Sequence, residues 1–223
     1  LVRETADLTA LRTGSLCIGS SHTRFSCYLT DPIIEFHHRY PGIRLTVREH
    51  SVSELKEDVQ NGLVDFALLY DPLADSSFEC IRLLRERTLL AVPMSHPFAA
   101  KYGGQQVVPY PRLSFARLHH EPFIKLLDSR RMSSVYEELS QQTQCTPEVV
   151  FEANSIIDAA ELCAAGMGIT LVTDMLVRNC RWRQPPFFFE LEEDVEDRHL
   201  VAAYGRQQHL SHAAKKFIDL LKL

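Results

Sequence analysis

No stretch of this 223-residue chain approaches the roughly 18 consecutive apolar residues that a bilayer-spanning helix requires, so no membrane association is expected. Basic blocks are missing as well. With 24 Lys+Arg against 29 Asp+Glu the formal net charge is −5 and the pI about 6.1, which leaves no Lys/Arg stripe to grip phosphates. The segment by itself is expected to bind DNA poorly. The six cysteines (Cys17, Cys27, Cys80, Cys145, Cys163 and Cys180) include no C-x-x-C pair and no His/Cys cluster at zinc spacing, so reduced, structural thiols and no metal site are expected. There is also no G-x-S-x-G, no phosphate loop and no acid/base pair that the pattern obliges one to place in a cleft. No catalytic residue and no cofactor are therefore assigned. The start, Leu1-Val2-Arg3-Glu4-Thr5, lacks the basic, apolar and small-residue layout of a signal peptide, and a cytoplasmic setting is expected.

What is present is the ordinary balance of a globular protein, 45% hydrophobic and 24% charged, arranged in alternating elements. Leu1 to Leu11 carries apolar residues every three or four positions and reads as the end of a helix. Leu16-Cys17-Ile18 is a short strand closed by Gly19, and Phe25, Leu29, Ile33, Phe36 and Tyr40 then mark one face of a helix. Asp31-Pro32 inside it predicts a kink or a restart with Asp31 as N-cap. Tyr40-Pro41-Gly42 stops the helix, and Ile43, Leu45 and Val47 alternate as a strand. Ser51-Val52-Ser53-Glu54 is a capping box opening a helix with Leu55, Val59 and Leu63 on one face, and Val64 to Tyr70 is the next strand. The order β-α-β-α-β predicts a parallel sheet covered by helices.

Two extended segments between Cys80 and Pro93 suggest a crossing to a second lobe. That lobe reads as strand Pro122 to Leu126, helix Arg130 to Gln141, strand Val149 to Ala153, helix Ser155 to Ala165 and strand Ile169 to Val172. In the Arg130 helix Met132, Val135, Tyr136 and Leu139 should point inward. After the acidic stretch Glu190 to Asp197, which should be a solvated edge, Arg198 to Tyr204 reads as a strand and His209 to Leu223 as a helix.

Leu16-Cys17-Ile18-Gly19, Tyr40-Pro41-Gly42 and Asn61-Gly62-Leu63-Val64-Asp65-Phe66-Ala67-Leu68 occur in an order and spacing that resembles the effector-binding domain of LysR-type transcriptional regulators. Leu90-Ala91-Val92-Pro93 with His96-Pro97, Asn154-Ser155 with Ala164-Ala165-Gly166-Met167-Gly168-Ile169, and Leu210-Ser211 through Phe217-Ile218 extend the resemblance over residues 10 to 221. Each piece is short; their joint order is the signal. The resemblance implies an α/β fold of two Rossmann-like lobes, like type II periplasmic binding proteins, with a ligand cleft between the lobes. It places the linker-helix end at residues 1–11, lobe I at 12–93 and 198–223, and lobe II at 94–197. It further implies a small-molecule effector, a homodimer or homotetramer, and DNA binding only through an N-terminal winged helix-turn-helix not contained in this chain. Dimer contacts would fall on the Phe25 to Tyr40 and Ser155 to Ala165 helices.

In an open α/β sheet, ligands lie beyond the carboxyl ends of strands, where helix N-termini offer N–H donors to anions. That places Ser20, Ser21, His22 and Thr23 after the first strand, and Ser51 and Ser53 after the second, as candidate ligand-binding residues for a small anionic metabolite. Ser129, Arg130, Asn154, Ser155 and Thr173 are the second-lobe candidates, Arg130 as a partner for a carboxylate. Helix capping competes with ligand contact at Ser21, Thr23, Ser51 and Ser53. Val52 and Thr173 depart from the family's pattern. A transport-type solute-binding protein and a thiol-redox-sensing regulator, with Cys145 and Cys180 as the loop thiols, are the rival readings.

Overall fold

The computed structural model describes residues 13–73, 75–103, 105–127 and 130–222, with the backbone alone at 130 and 131. The expected helix end at residues 1–11 lies outside the described residues. The chain divides into two compact units, one running to Glu86 and resuming at Arg198, the other spanning Arg87–Asp197.

In the first unit β1 (Gly14–Ser20) is followed by a short helix α1 (His22–Arg24), a π-helical stretch Phe25–Leu29 and α2 (Thr30–Arg39). Pro32 has no N–H to give the Tyr28 carbonyl four residues back, and its ring crowds that carbonyl; the wide π turns directly ahead of it relieve the clash. The restart therefore comes at Thr30, with Asp31 and Pro32 inside the first turn, and Asp31 is not the N-cap. The remaining elements are β2 (Ile43–Glu49), α3 (Val52–Gln60), β3 (Phe66–Asp71) and β4 (Phe78–Glu86). From the end of the chain come β11 (Arg198–Gly205) and α8 (His212–Leu221).

The strand order is β2-β1-β3-β11-β4, with β1 parallel to β2 and β3, and β11 antiparallel to β3 and β4. One face buries Phe36 of α2 against Phe217 of α8 at 5.2 Å between ring centroids, with Phe66 6.2 Å from Phe217. The other face packs Leu55, Val59, Val64, Ala67, Leu69, Phe78, Val201 and Ala203. Gly19 is required between them, since a Cβ there would meet Leu55 Cδ2 at 2.9 Å and Ala67 Cβ at 3.0 Å.

The loop after α3 explains the Asn61 to Asp65 string. Gly62 adopts φ +67, Leu63 N donates to the Asp58 carbonyl, and the Asp65 carboxylate accepts from Cys17 N at 2.8 Å. Leu63 was expected on the buried face of the helix; the helix ends at Gln60 and Gly62 turns Leu63 outward to 48% exposure. The final helix starts at His212 rather than His209, because the Ser211 hydroxyl accepts from Ala214 N at 3.1 Å and caps it there.

The second unit contains β5 (Thr88–Val92), α4 (Pro97–Ala100), β6 (Arg112–Leu113), β7 (Pro122–Leu126), α5 (Arg130–Thr143), β8 (Glu148–Ala153), α6 (Ile156–Ala164), β9 (Ile169–Thr173), α7 (Asp174–Asn179) and β10 (Phe187–Leu191). Its sheet runs β6-β10-β5-β9-β7-β8. The chain enters this unit at Arg87, earlier than the crossing expected after Pro93, because β5 pairs with β9 and β10 rather than with the first sheet. Phe187-Phe188-Phe189, unassigned from sequence, forms that pairing strand. Met132, Val135, Tyr136 and Leu139 are buried as expected.

Phe217 is fully buried and links the C-terminal helix to strands some 150 or more residues earlier in the chain. Phe217→Ala should destabilise the first unit by about 3–5 kcal/mol. Hydrogen exchange should accelerate in β1, β3 and β11 while β7 and β9 keep their protection; equal loss in both sheets would show that the units do not unfold separately.

Candidate functional site

β1 delivers the Ser20 to Thr23 turn to the carboxyl edge of the first sheet. Ser20 is fully buried and its hydroxyl donates to the Ser21 carbonyl at 3.2 Å, while His50 N donates to the Ser20 carbonyl at 3.1 Å. Ser20 thus shapes the turn rather than facing outward. Ser21 caps α1, its hydroxyl accepting from Arg24 N at a long 3.4 Å, and the half-buried Thr23 makes no side-chain hydrogen bond to the described residues. His22 is exposed, with Nδ1 3.3 Å from Glu49 Oε2.

The register Ser20↔Glu49 brings the β1 and β2 turns side by side on one edge. There the capping box holds: the Ser51 hydroxyl donates to Glu54 Oε2 at 2.6 Å and accepts from Glu54 N, and Ser51 N donates to the same carboxylate at 2.9 Å. Ser53 Oγ lies 3.1 Å from Ser51 Oγ. These contacts engage Ser51 in starting α3.

In the second unit the turns after β7, β8 and β9 also share one edge, through the parallel pairings β7 with β8 and β9. Ser155 accepts from Ile157 N and Asp158 N, and the buried Thr173 accepts from Leu176 N at 3.2 Å, so both hydroxyls cap helices. Asn154 lines a shallow depression with Glu152, Asp158 and Glu161, a carboxylate-rich surface unsuited to an anion. Ser129 lies outside the described residues, as does the side chain of Arg130, whose backbone opens α5.

Five residues of the first unit, none of them singled out from sequence, form a buried charged cluster at the same edge as the Ser20 turn. Tyr28 donates to Glu86 Oε1 at 2.5 Å, and Arg198 Nε pairs with Glu86 Oε2. The Arg198 guanidinium lies 3.7 Å and that of Arg24 5.2 Å from the Tyr70 ring centroid. Arg24 Nη1 donates to the Leu68 carbonyl at 3.0 Å, an acceptor on β3 just past the point where β1 stops. Burial pulls the Arg24 pKa down. It pushes the Tyr70 phenol up to about 12, with the Glu86 charge adding to the effect and Arg198 opposing it, and drives Tyr28 higher still. The legible signal was an Arg and a Tyr at i and i+4 directly after the turn; their partners lie 40 or more residues away.

A family model for the LysR substrate binding domain matches residues 9–222. The chain belongs to that family. Among curated proteins it is 25% identical over 162 residues to the HTH-type transcriptional regulator YybE of Bacillus subtilis (strain 168), covering 73% of this chain and 52% of the relative. It thus spans about half the length of that regulator. Among solved structures, HinK, a LysR family transcriptional regulator from Pseudomonas aeruginosa, matches with a TM-score of 0.77 at 25% identity over 99% of this chain and 74% of that one. The CcmR regulatory domain of Synechocystis PCC6803, in complex with 2-PG, matches in fold with a TM-score of 0.76 at 19% identity over 94% and 96%.

Membership fixes the fold class read from sequence: mixed α/β with two sheets, as in these LysR domains. Among the described residues no group of three or more His, Cys, Asp or Glu side chains is placed to hold a metal ion, and no helix is long and apolar enough to cross a membrane. Burial raises the pKa of Cys17, Cys80, Cys145, Cys163 and Cys180, and Cys145, expected in an open loop, is buried.

Two predictions follow from this geometry. Removing the carboxylate that bridges Tyr28 and Arg198, as in Glu86→Ala, leaves a largely buried cation without its pair and should cost about 3–5 kcal/mol in denaturant unfolding. Iodoacetamide at pH 7 should alkylate none of the five thiols named above faster than a model cysteine peptide, read by mass spectrometry; a fast site would restore a redox reading.

Proposed function

We propose that this chain is the effector-sensing part of a LysR-type transcriptional regulator, in which a small anionic metabolite docks at the turn after β1 and thereby alters DNA binding by the full-length protein. The observation that carries the reading is the turn itself. Ser21 and Thr23 stand at the carboxyl edge of a parallel sheet with hydroxyls only weakly held or unbonded by the described residues, as a ligand site of this fold requires. The similarly folded CcmR domain in complex with 2-PG supports a small-molecule ligand.

Ser129 and Arg130 are kept as proposed ligand contacts, Arg130 as a partner for a carboxylate. His22 is placed to lend a donor. Ser51, Ser155 and Thr173 act as helix caps, and Ser20 sets the turn. We assign no catalytic chemistry to the chain, place the protein in the cytoplasm, and leave DNA contact to a winged helix-turn-helix elsewhere in the full-length regulator. Its oligomer would use apolar outer surface such as Ile34 on α2, 51% exposed, and the edge strand β8 with Val149, Val150 and Phe151 about two-fifths exposed.

Thermal-shift screening against small carboxylates, amino acids, aromatics and inorganic anions tests this. A ligand at 100 times its dissociation constant adds about 2.7 kcal/mol of stability. Ser21→Ala with Thr23→Ala should remove most of the shift produced by a hit. A full shift in the double variant would place the site elsewhere, and chemical conversion of any hit would overturn the non-enzymatic reading.

A further inference from the structure

In the first unit the buried Arg24 and the half-buried Arg198 flank one buried carboxylate, Glu86, among the described residues. Glu86 is 3% exposed and both of its oxygens are engaged, one by Tyr28 and one by Arg198, so Arg198 is neutralised by Glu86. Arg24 is 8% exposed and pairs with no carboxylate among the described residues. Nη1 holds the Leu68 carbonyl and the cation rests near the Tyr70 ring, but its buried Nε has no hydrogen-bond partner among the described residues. A buried, charged donor left unmatched is costly to a fold, and native proteins supply a partner or an ion. Here the unmatched group ends α1, the helix begun by the turn at which an effector is expected, and lies at the strand edge where that effector would approach.

We propose that Arg24 is the charge-reading residue of the effector site. Its Nε edge takes the carboxylate of a singly charged effector, while the Ser21 and Thr23 hydroxyls meet the effector's remaining polar atoms. The proposal rests on the reading that this turn holds the effector and deepens it by fixing the class of ligand. The charge count sets that class. Two cations and one carboxylate leave one positive charge over, which matches one carboxylate; a doubly charged phosphate monoester would reverse the imbalance. A planar carboxylate also suits the flat edge of a guanidinium, whereas an uncharged amide of the same shape returns no charge. Arg24 has a structural task as well, holding the Leu68 carbonyl beyond the end of β1, so its replacement must keep a donor there.

Side-chain NMR of the 223-residue chain tests this directly, using formate and acetate as probes with formamide and acetamide as uncharged counterparts. The Arg24 Nε–H cross-peak, assigned by through-bond correlation from its own backbone, should shift saturably with the two carboxylates and stay still with the amides. The Ser21 and Thr23 backbone amides should move with the same dissociation constant. Arg24→Lys retains a cation and a donor for Leu68 but lacks the flat edge, and should weaken carboxylate binding about tenfold or more.

If the turn amides respond to carboxylates while the Arg24 cross-peak does not, or if Arg24→Lys binds them as well as the parent, the role of Arg24 is overturned and the effector turn stands. If neither the turn nor Arg24 responds, both are overturned. Because the wild-type cross-peak is assigned without the variant, a misfolded Arg24→Lys leaves the first comparison decisive.

Discussion

Glu86 is a carboxylate buried at the point where the chain leaves the first unit, and its ion pair with Arg198 sits where the chain comes back. An ion pair at this depth contributes little net stability, since desolving two charges offsets most of their attraction. What it supplies is position. The pair aligns the end of β4 with the start of β11, and Tyr28, the third member, ties the π-helical stretch after the Ser20 to Thr23 turn to the same carboxylate. The next residue, Arg87, is fastened within the second unit, by its backbone and guanidinium to Asp174 and by Nη1 to Glu190. Neighbouring residues are thus anchored in different bodies.

The same constraint explains which parts of the fold were legible in the sequence. Elements set by local chemistry read correctly: the capping box at Ser51, the Gly62 stop, and the inward face of α5. Elements set by a distant partner did not. Phe187-Phe188-Phe189 is apolar on every position and has no periodicity to interpret; it becomes a strand because β5 lies beside it. β5 itself was assigned to the first lobe because nothing local says which sheet a short apolar run will join. The errors of a few residues at helix ends reflect caps, such as Ser211, whose geometry is decided only when the first turn forms.

The candidate residues were legible as positions at strand ends and much less so in what their hydroxyls bond to. Hydroxyl-bearing residues after strands are the right type for binding and equally for capping, and at Ser51, Ser155 and Thr173 the hydrogen bonds go to helix starts. The charged cluster had no sequence signature. Arg24, Tyr70, Glu86 and Arg198 are spread over most of the chain, and arginines are ordinarily surface residues. Arg24 is drawn inward at the end of β1. β1 ends at Ser20 while β3 continues to Asp71, and the Leu68 carbonyl near that end accepts from the Arg24 guanidinium. The donor is thus a side chain that follows the turn after the strand.

That origin gives the turn two properties a sensor needs. The hydrogen bond to the Leu68 carbonyl holds Arg24 at the strand edge, so that under the proposed reading the cation is in place before an effector arrives. The same placement keeps its charge uncompensated, because the one nearby carboxylate is already committed to Arg198. A ligand can shift a conformational balance only by binding one state better than the other. An anion arriving at Arg24 meets this condition: in any arrangement that moves the turn away from it, the buried charge is again without a partner. The coupling between binding and conformation would then come from a structural duty at the sheet edge that already holds the cation there.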